Sequence, residues 1–153
     1  MNLSRLQESI QLAIPYVFGD AWLHHANTTI TKYEKSYSIH PYTFQLTAYG
    51  YQQYTGWLMV FEQDQPIWNL MFNGNVLDRP EVNIQHTLRF LLSSIQFASS
   101  DHSSFRGPSE HSDGNFRYRS TQIGTIDDFE GREWIEIDKQ VIYRGAYNGG
   151  LIR

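Results

Sequence analysis

The sequence contains no cysteine. That excludes disulfides, thiolate metal sites and a thiol nucleophile together. Positive charge is also sparse: 12 Lys and Arg stand against 16 Asp and Glu, for a net charge of −4. A nucleic-acid surface needs a clustered basic stripe. Here the basic residues are scattered, Arg106, Arg117 and Arg119 forming the nearest approach to a group, so direct nucleic-acid binding is not expected. No apolar run approaches the ~20 residues of a membrane span. The opening MNLSRLQESIQLAIPYVF is interrupted by polar residues, unlike a signal peptide. The expectation is a cytoplasmic protein of a bacterium or phage, without membrane contact.

Catalytic signatures are missing as well. No Gly-x-Ser-x-Gly elbow occurs. The glycine-rich GAYNGG ends a strand pattern instead of opening a helix, so it is not a phosphate loop. Six histidines are present, at 24, 25, 40, 86, 102 and 111, and no two have the i, i+4 spacing of a helical metal site. His102 and His111 share a polar loop with Asp101, Glu110 and Asp113. Metal binding would need converging geometry there, and solvated loop histidines are the commoner outcome. No metal and no cofactor is expected.

What the chain does have is 41% apolar and 15% aromatic residues, enough for a real core with many rings to place. Leu3, Leu6, Ile10, Ala13, Ile14 and Val17 recur at spacings of three and four, one apolar stripe of a helix. Ser4 and Gln7 suit a capping box, and Pro15 and Gly19 suit its end. Residues 20–36 read as a loop with a short strand at TTITKY. From Tyr37 the period becomes two. Tyr42, Phe44, Leu46 and Ala48 line one face of a strand, and GWLMVFEQ and PIWNLMFN form a hairpin. A second helix follows, with Pro80 at its start and Ile84, Leu88, Leu91, Leu92 and Ile95 as its stripe. Residues 99–115 read as a long surface loop, and three more strands follow.

The two strand regions repeat. At an offset of 75, Gly56 meets Gly131, Trp68 meets Tyr143, Phe72 meets Tyr147, and Asn73-Gly74 meets Asn148-Gly149. The expected fold is therefore α+β: one domain over residues 1–153 with an internal repeat at about 37–77 and 116–152. A helix-plus-three-strand unit, duplicated, would give a mainly antiparallel sheet with two helices and a pseudo-twofold axis. Asn-Gly after two rings reads as a turn at a strand end. Trp68, Phe72, Tyr143 and Tyr147 read first as core rings.

The second half also carries an ordered run: FRGP at 105–108, Tyr118, Gly124, FEGRE at 129–133, VIY at 141–143 and YNGGLI at 147–152. Over roughly residues 37–153 this resembles a bacterial domain family of unknown function. The resemblance implies stand-alone proteins of this size, or the C-terminal half of regulators carrying a helix-turn-helix. Here only one helix precedes the first clear strand, too little for that motif. The sequence also departs from the family's pattern at Phe72-Asn73-Gly74 and at Asn148.

Six residues are candidates for a ligand site: Arg106, Tyr118, Glu133, Trp134, Tyr143 and Trp68. In FRGP, Phe105 anchors while Gly107 and Pro108 fix a turn, so Arg106 is held in place to read an anion or to tie its loop to Glu133. Glu133 lies among several acids, where a solvated strand face is the usual outcome. If buried against a pocket, it could act as an acid or base. Antiparallel pairing would bring Tyr118, Trp134 and Tyr143 side by side. The main functional expectation is a non-enzymatic small-molecule-sensing or binding module, as monomer or homodimer. Two alternatives stay open: a factor that binds a protein partner, of immunity or phage counter-defence type, and a small hydrolase or isomerase using Glu133 or a His.

Overall fold

The computed structural model describes residues 1–19, 32–98 and 104–153. The opening helix α1 spans Leu3–Val17. Four strands follow: β1 at Lys32–Ile39, β2 at Tyr42–Gly50, β3 at Gln53–Glu62 and β4 at Gln65–Val76. Helix α2 spans Ile84–Ile95, and four more strands complete the chain: β5 at Glu110–Asp113, β6 at Phe116–Thr125, β7 at Asp128–Ile137 and β8 at Gln140–Leu151. All eight form one antiparallel sheet in the order β1-β2-β3-β4-β8-β7-β6-β5. Each half is thus a meander of sequential hairpins. The crossover through α2 carries the chain to the far edge, and the second meander returns until β8 pairs with β4.

The α+β reading of the sequence stands, with two helices and an antiparallel sheet, but there are eight strands where six were expected. Of the short strand read at TTITKY, Lys32 and Tyr33 open β1, which continues to Ile39 through residues read as loop, and TTIT lies outside the described residues. β5 is four residues long inside a polar stretch read as loop. Helix boundaries also differ. Asn2, not Ser4, caps α1, its side chain accepting from the Arg5 amide at 3.1 Å. Asn83 caps α2, accepting from His86 N at 2.9 Å, so Pro80 precedes the helix instead of opening it.

Alternation decides which face is covered. On β4, Trp68, Leu70, Phe72, Gly74 and Val76 are buried while Met71, Asn73 and Asn75 are exposed. Both helices lie on the inner face. Leu6, Ile10, Ala13, Ile14 and Val17 of α1 are fully buried, as are Leu91 and Ile95 of α2. The outer face has no helix on it among the described residues.

The expected Asn-Gly turns do not exist. Asn73-Gly74 sits inside β4 and Asn148-Gly149 inside β8. The tight turns fall instead at Gln63-Asp64 and Asp138-Lys139, where both residues of each pair have positive φ. That is the backbone a two-residue hairpin of type I′ needs. Gly74 is required for another reason: a Cβ there would collide with the hydroxyls of Tyr54 and Tyr143.

The registers of the two halves coincide. Tyr54 pairs with Gly74 and Gly56 with Phe72; 75 residues on, Phe129 pairs with Gly149 and Gly131 with Tyr147. Register shifts fall between Val60 and Phe61 and again between Ile135 and Glu136, at the same offset. Along the β4–β8 seam Phe72 faces Tyr147, and the paired Gly74 and Gly145 lie two residues away.

Candidate functional site

The inner face carries an ionic cluster built around one loop. Ser104 folds that loop onto itself: its Oγ accepts from the amides of Arg106 and Gly107, both at 3.1 Å, and donates to Gly107 O at 2.6 Å. Phe105 N donates to Gln122 Oε1 of β6 at 2.9 Å. Gly107 is needed because any Cβ would run into the Tyr118 hydroxyl. So clamped, the loop projects Arg106 under the sheet, where it is 0% exposed.

The Arg106 guanidinium meets the Glu133 carboxylate, its Nε lying 3.2 Å from Oε1 and 3.3 Å from Oε2. Its Nη2 donates to the Tyr54 hydroxyl at 3.0 Å. Phe18 and Phe72 each stack on the guanidinium, at 4.6 and 4.7 Å from ring centroid to Cζ. Glu133 also accepts from the hydroxyl of Tyr143 at 2.7 Å and of Tyr118 at 2.8 Å. Tyr54 and Tyr143 share a further hydrogen bond. The carboxylate thus has donors on both oxygens, as a buried charge requires.

Burial and charge act together on these groups. Burial pushes the hydroxyls of Tyr118 and Tyr143 well above the usual tyrosine range, and the Glu133 charge adds to it. Tyr54 is also raised, chiefly by burial. Burial alone would lower Arg106, but Glu133 and the three phenols outweigh it, and the guanidinium is held above its ordinary value.

Of the six candidate residues, Arg106, Tyr118, Glu133 and Tyr143 come together here. Glu133 is 2% exposed, so it is not on the solvated strand face that its acidic neighbours suggested. Trp134 is its chain neighbour and therefore points to the outer face, half-buried, with Nε1 donating to Glu136 at 3.1 Å. Trp68 is buried on the inner face, where Nε1 donates to Ile126 O at 3.1 Å. Its ring packs against Phe105 and Phe129, apart from the ionic cluster. Tyr54 was not singled out in the sequence, although the repeat made it the counterpart of Phe129.

Open space lies on the other side of the sheet. A cavity of about 440 Å³ runs across the seam, lined by outward side chains that include Asn73, Thr121, Glu130, Arg132, Ala146 and Asn148. A second of about 420 Å³ adjoins it, sharing Thr55 and Asn73 and adding Asn75 and Arg144. Gly56 and Gly131 leave the floor of the first so thin that Phe72 and Tyr147 reach it from below. Gly74 does the same for Tyr54 in the second. Asn73 and Asn148 stand out in the sequence only through the repeat and the family pattern, and none of these outer-face polar residues was a site candidate. They alternate with core rings, and alternation says only that they face away from the core.

Among the described residues no cluster of three or more metal-ligating side chains occurs. His24, His25, Asp101 and His102 lie outside the described residues. No described helix is long and apolar enough to cross a membrane.

The chain belongs to a family defined by a domain of unknown function, DUF5680, whose model matches residues 47–152. The match takes in Tyr54, Arg106, Tyr118, Glu133 and Tyr143, and every lining residue named for both cavities. No curated protein and no solved structure is detectably similar to the chain.

Proposed function

We propose that the chain is a non-enzymatic binding module that holds a small molecule on the outer face of its sheet, over the β4–β8 seam. The observation that carries this is the seam cavity of about 440 Å³, a volume in the range of small-ligand sites. In this reading Arg106, Tyr118, Glu133 and Tyr143 are the scaffold beneath the site, and Trp68 and Trp134 serve the packing. The resemblance to regulator C-terminal halves supports a sensing role. So does the thin floor, because Tyr54 and Phe72 touch both the groove and Arg106. For the hydrolase or isomerase reading, Glu133 already has donors on both oxygens, which leaves a His as its other carrier. A protein partner is the second reading, favoured by Ile123 and Met71, which are 66% and 42% exposed at the groove. The two halves are read as copies of one unit, a helix with four strands. The recurring registers and shared register shifts support that origin. A cytoplasmic monomer or homodimer suits both readings.

Native mass spectrometry of the protein purified from bacterial cytosol tests the site. The expected result is a species heavier than the bare 17.9 kDa chain. Ala146→Trp, which fills the groove from its exposed floor, should return the bare mass with an unchanged circular dichroism spectrum. An adduct retained in Ala146→Trp would remove the ligand from this face. A bare wild-type mass, with another protein co-purifying in fixed ratio, would favour the partner reading.

A further inference from the structure

The outer-face groove has an unequal pair of ends, and the inequality identifies a ligand chemistry; the inference rests on the groove being the binding site. Ala146 of β8 lies opposite Arg132 of β7 on one side and Asn73 of β4 on the other. Arg144 and Asn148 flank it two residues away on the same face of β8. All five are exposed. One methyl group is therefore ringed by two guanidinium and two carboxamide side chains.

The counterpart position 75 residues earlier is Met71, ringed by Trp57, Asn148, Asn69 and Asn73. There a long side chain fills the centre, and no cation is present in the ring. Where the first half has Met71, Trp57 and Asn69, the second half has Ala146, Arg132 and Arg144. All three differences open space or add positive charge at one end of the groove.

Those charges are not consumed by the fold. Among the described residues no ion pair involves Arg132 or Arg144. The nearest acids on this face are Glu130, two residues along β7 from Arg132, and Glu136, two residues beyond Trp134. Glu136 accepts from the Trp134 indole. Glu130 also lines the cavity, opposite Asn148 and Ile123, and so borders the ring on its Asn148 side, which leaves the Arg144 and Asn73 side free of acid. An arginine supplies donors only, in a planar fork that fits carboxylate and phosphate oxygens. The carboxamides of Asn73 and Asn148 add neutral donors.

We infer that the Ala146 end of the groove is a site for the anionic group, carboxylate or phosphate, of a small organic molecule, read by Arg132 and Arg144 with Asn73 and Asn148. The remainder of the molecule lies across the strands, in the row that runs from Ala146 through Asn73 to Thr55 on one side and through Arg132 to Thr121 on the other.

Titration of ¹⁵N-labelled full chain with citrate, inorganic phosphate and maltose, each referenced to sodium chloride at equal ionic strength, tests this by amide shifts. The expected result is saturable movement of the amides of residues 73, 132, 144, 146 and 148 with citrate or phosphate, and the arm that saturates at lower concentration names the anion. Arg132→Gln and Arg144→Gln should each weaken that binding by about tenfold, the scale of a charge-assisted hydrogen bond, while other amides keep their positions. Movement by maltose alone would keep the groove as a site and overturn the anion assignment. Anion shifts that match chloride, with none from maltose, would overturn both.

Discussion

Arg106 Nε lies 3.2 Å from Glu133 Oε1, and neither side chain is more than 1% exposed. A buried pair of this kind is weak evidence of net stabilisation, because desolvation offsets much of the attraction. Removing one partner is another matter, since it strands a charge. Glu133→Ala leaves Arg106 facing three phenols and two rings with no anion. It should cost about 3–5 kcal/mol. Arg106→Met should cost a similar amount, because three hydrogen bonds are lost and the carboxylate keeps only tyrosine donors. The double variant Arg106→Met, Glu133→Ala should cost less than the sum of the two, because neither charge is then stranded. Urea unfolding of the three chains checks this: strictly additive costs would show that the two side chains do not act on each other.

Gly74 supplies a second test, because its two readings differ in consequence. As a turn glycine it would tolerate alanine at a cost of about 1 kcal/mol. As a strand residue facing Tyr54 and Tyr143 it has no room for a methyl group. Gly74→Ala should therefore cost about 1–3 kcal/mol by overpacking and disturb the tyrosine near-ultraviolet circular dichroism. Gly114, with φ +58° and open space around its missing Cβ, is the control. Gly114→Ala should cost about 1 kcal/mol and leave that signal unchanged. Equal effects at both positions would argue against the strand placement of Gly74.

Much of this was legible in the sequence, and the failures have physical reasons. Periods of two and 3.6 located the long strands and both helices, because their faces are clearly divided between core and solvent. The short edge strand β5 has no such division, its residues being mostly exposed. Asn-Gly was misread because glycine marks close approach as readily as a turn, and only the register brings the Tyr54 and Tyr143 hydroxyls against Gly74. FRGP pointed correctly to a fixed Arg106. Glu133 looked solvated because acids surround it in sequence, yet alternation turns Arg132 and Trp134 outward and leaves Glu133 alone beneath the sheet. The register shift after Ile135 blurs that alternation in REWIEID. The groove was not legible at all, since it depends on which strands meet at the seam.

The second helix offers a plain test of the core. Leu88 and Leu92 are 1% and 3% exposed on the face of α2 that meets the sheet. Truncating either leaves a cavity that the clamped strands cannot close. Leu88→Ala and Leu92→Ala should each lower stability by about 2–4 kcal/mol. Gln85→Ala, at an exposed position of the same helix, should stay within about 0.5 kcal/mol. Denaturant midpoints separate these outcomes directly.

The last prediction concerns alkaline pH, and its sign follows from the phenols. Tyr54, Tyr118 and Tyr143 are all raised above the ordinary value of 10.0 in the folded chain, by burial first and by the Glu133 charge as well. In the unfolded chain they titrate at about 10. Below that pH both states hold the protons, and stability is independent of these groups. Above it the unfolded chain releases protons that the folded chain retains, so the folded state loses ground as pH rises. Each phenol contributes a slope of about 1.4 kcal/mol per pH unit. Three acting together give about 4 kcal/mol per unit, enough to unfold a domain of ordinary stability within a few units. The chain should therefore lose its far-ultraviolet circular dichroism in one steep step above pH 10, with the buried part of the tyrosinate absorbance at 295 nm rising in the same step. Tyr118→Phe should reduce the slope by about 1.4 kcal/mol per pH unit, provided stability at pH 8 is first matched by adjusting denaturant. Tyrosinate absorbance that reaches its full value before the circular dichroism changes would show that the three hydroxyls are open to solvent in the folded state.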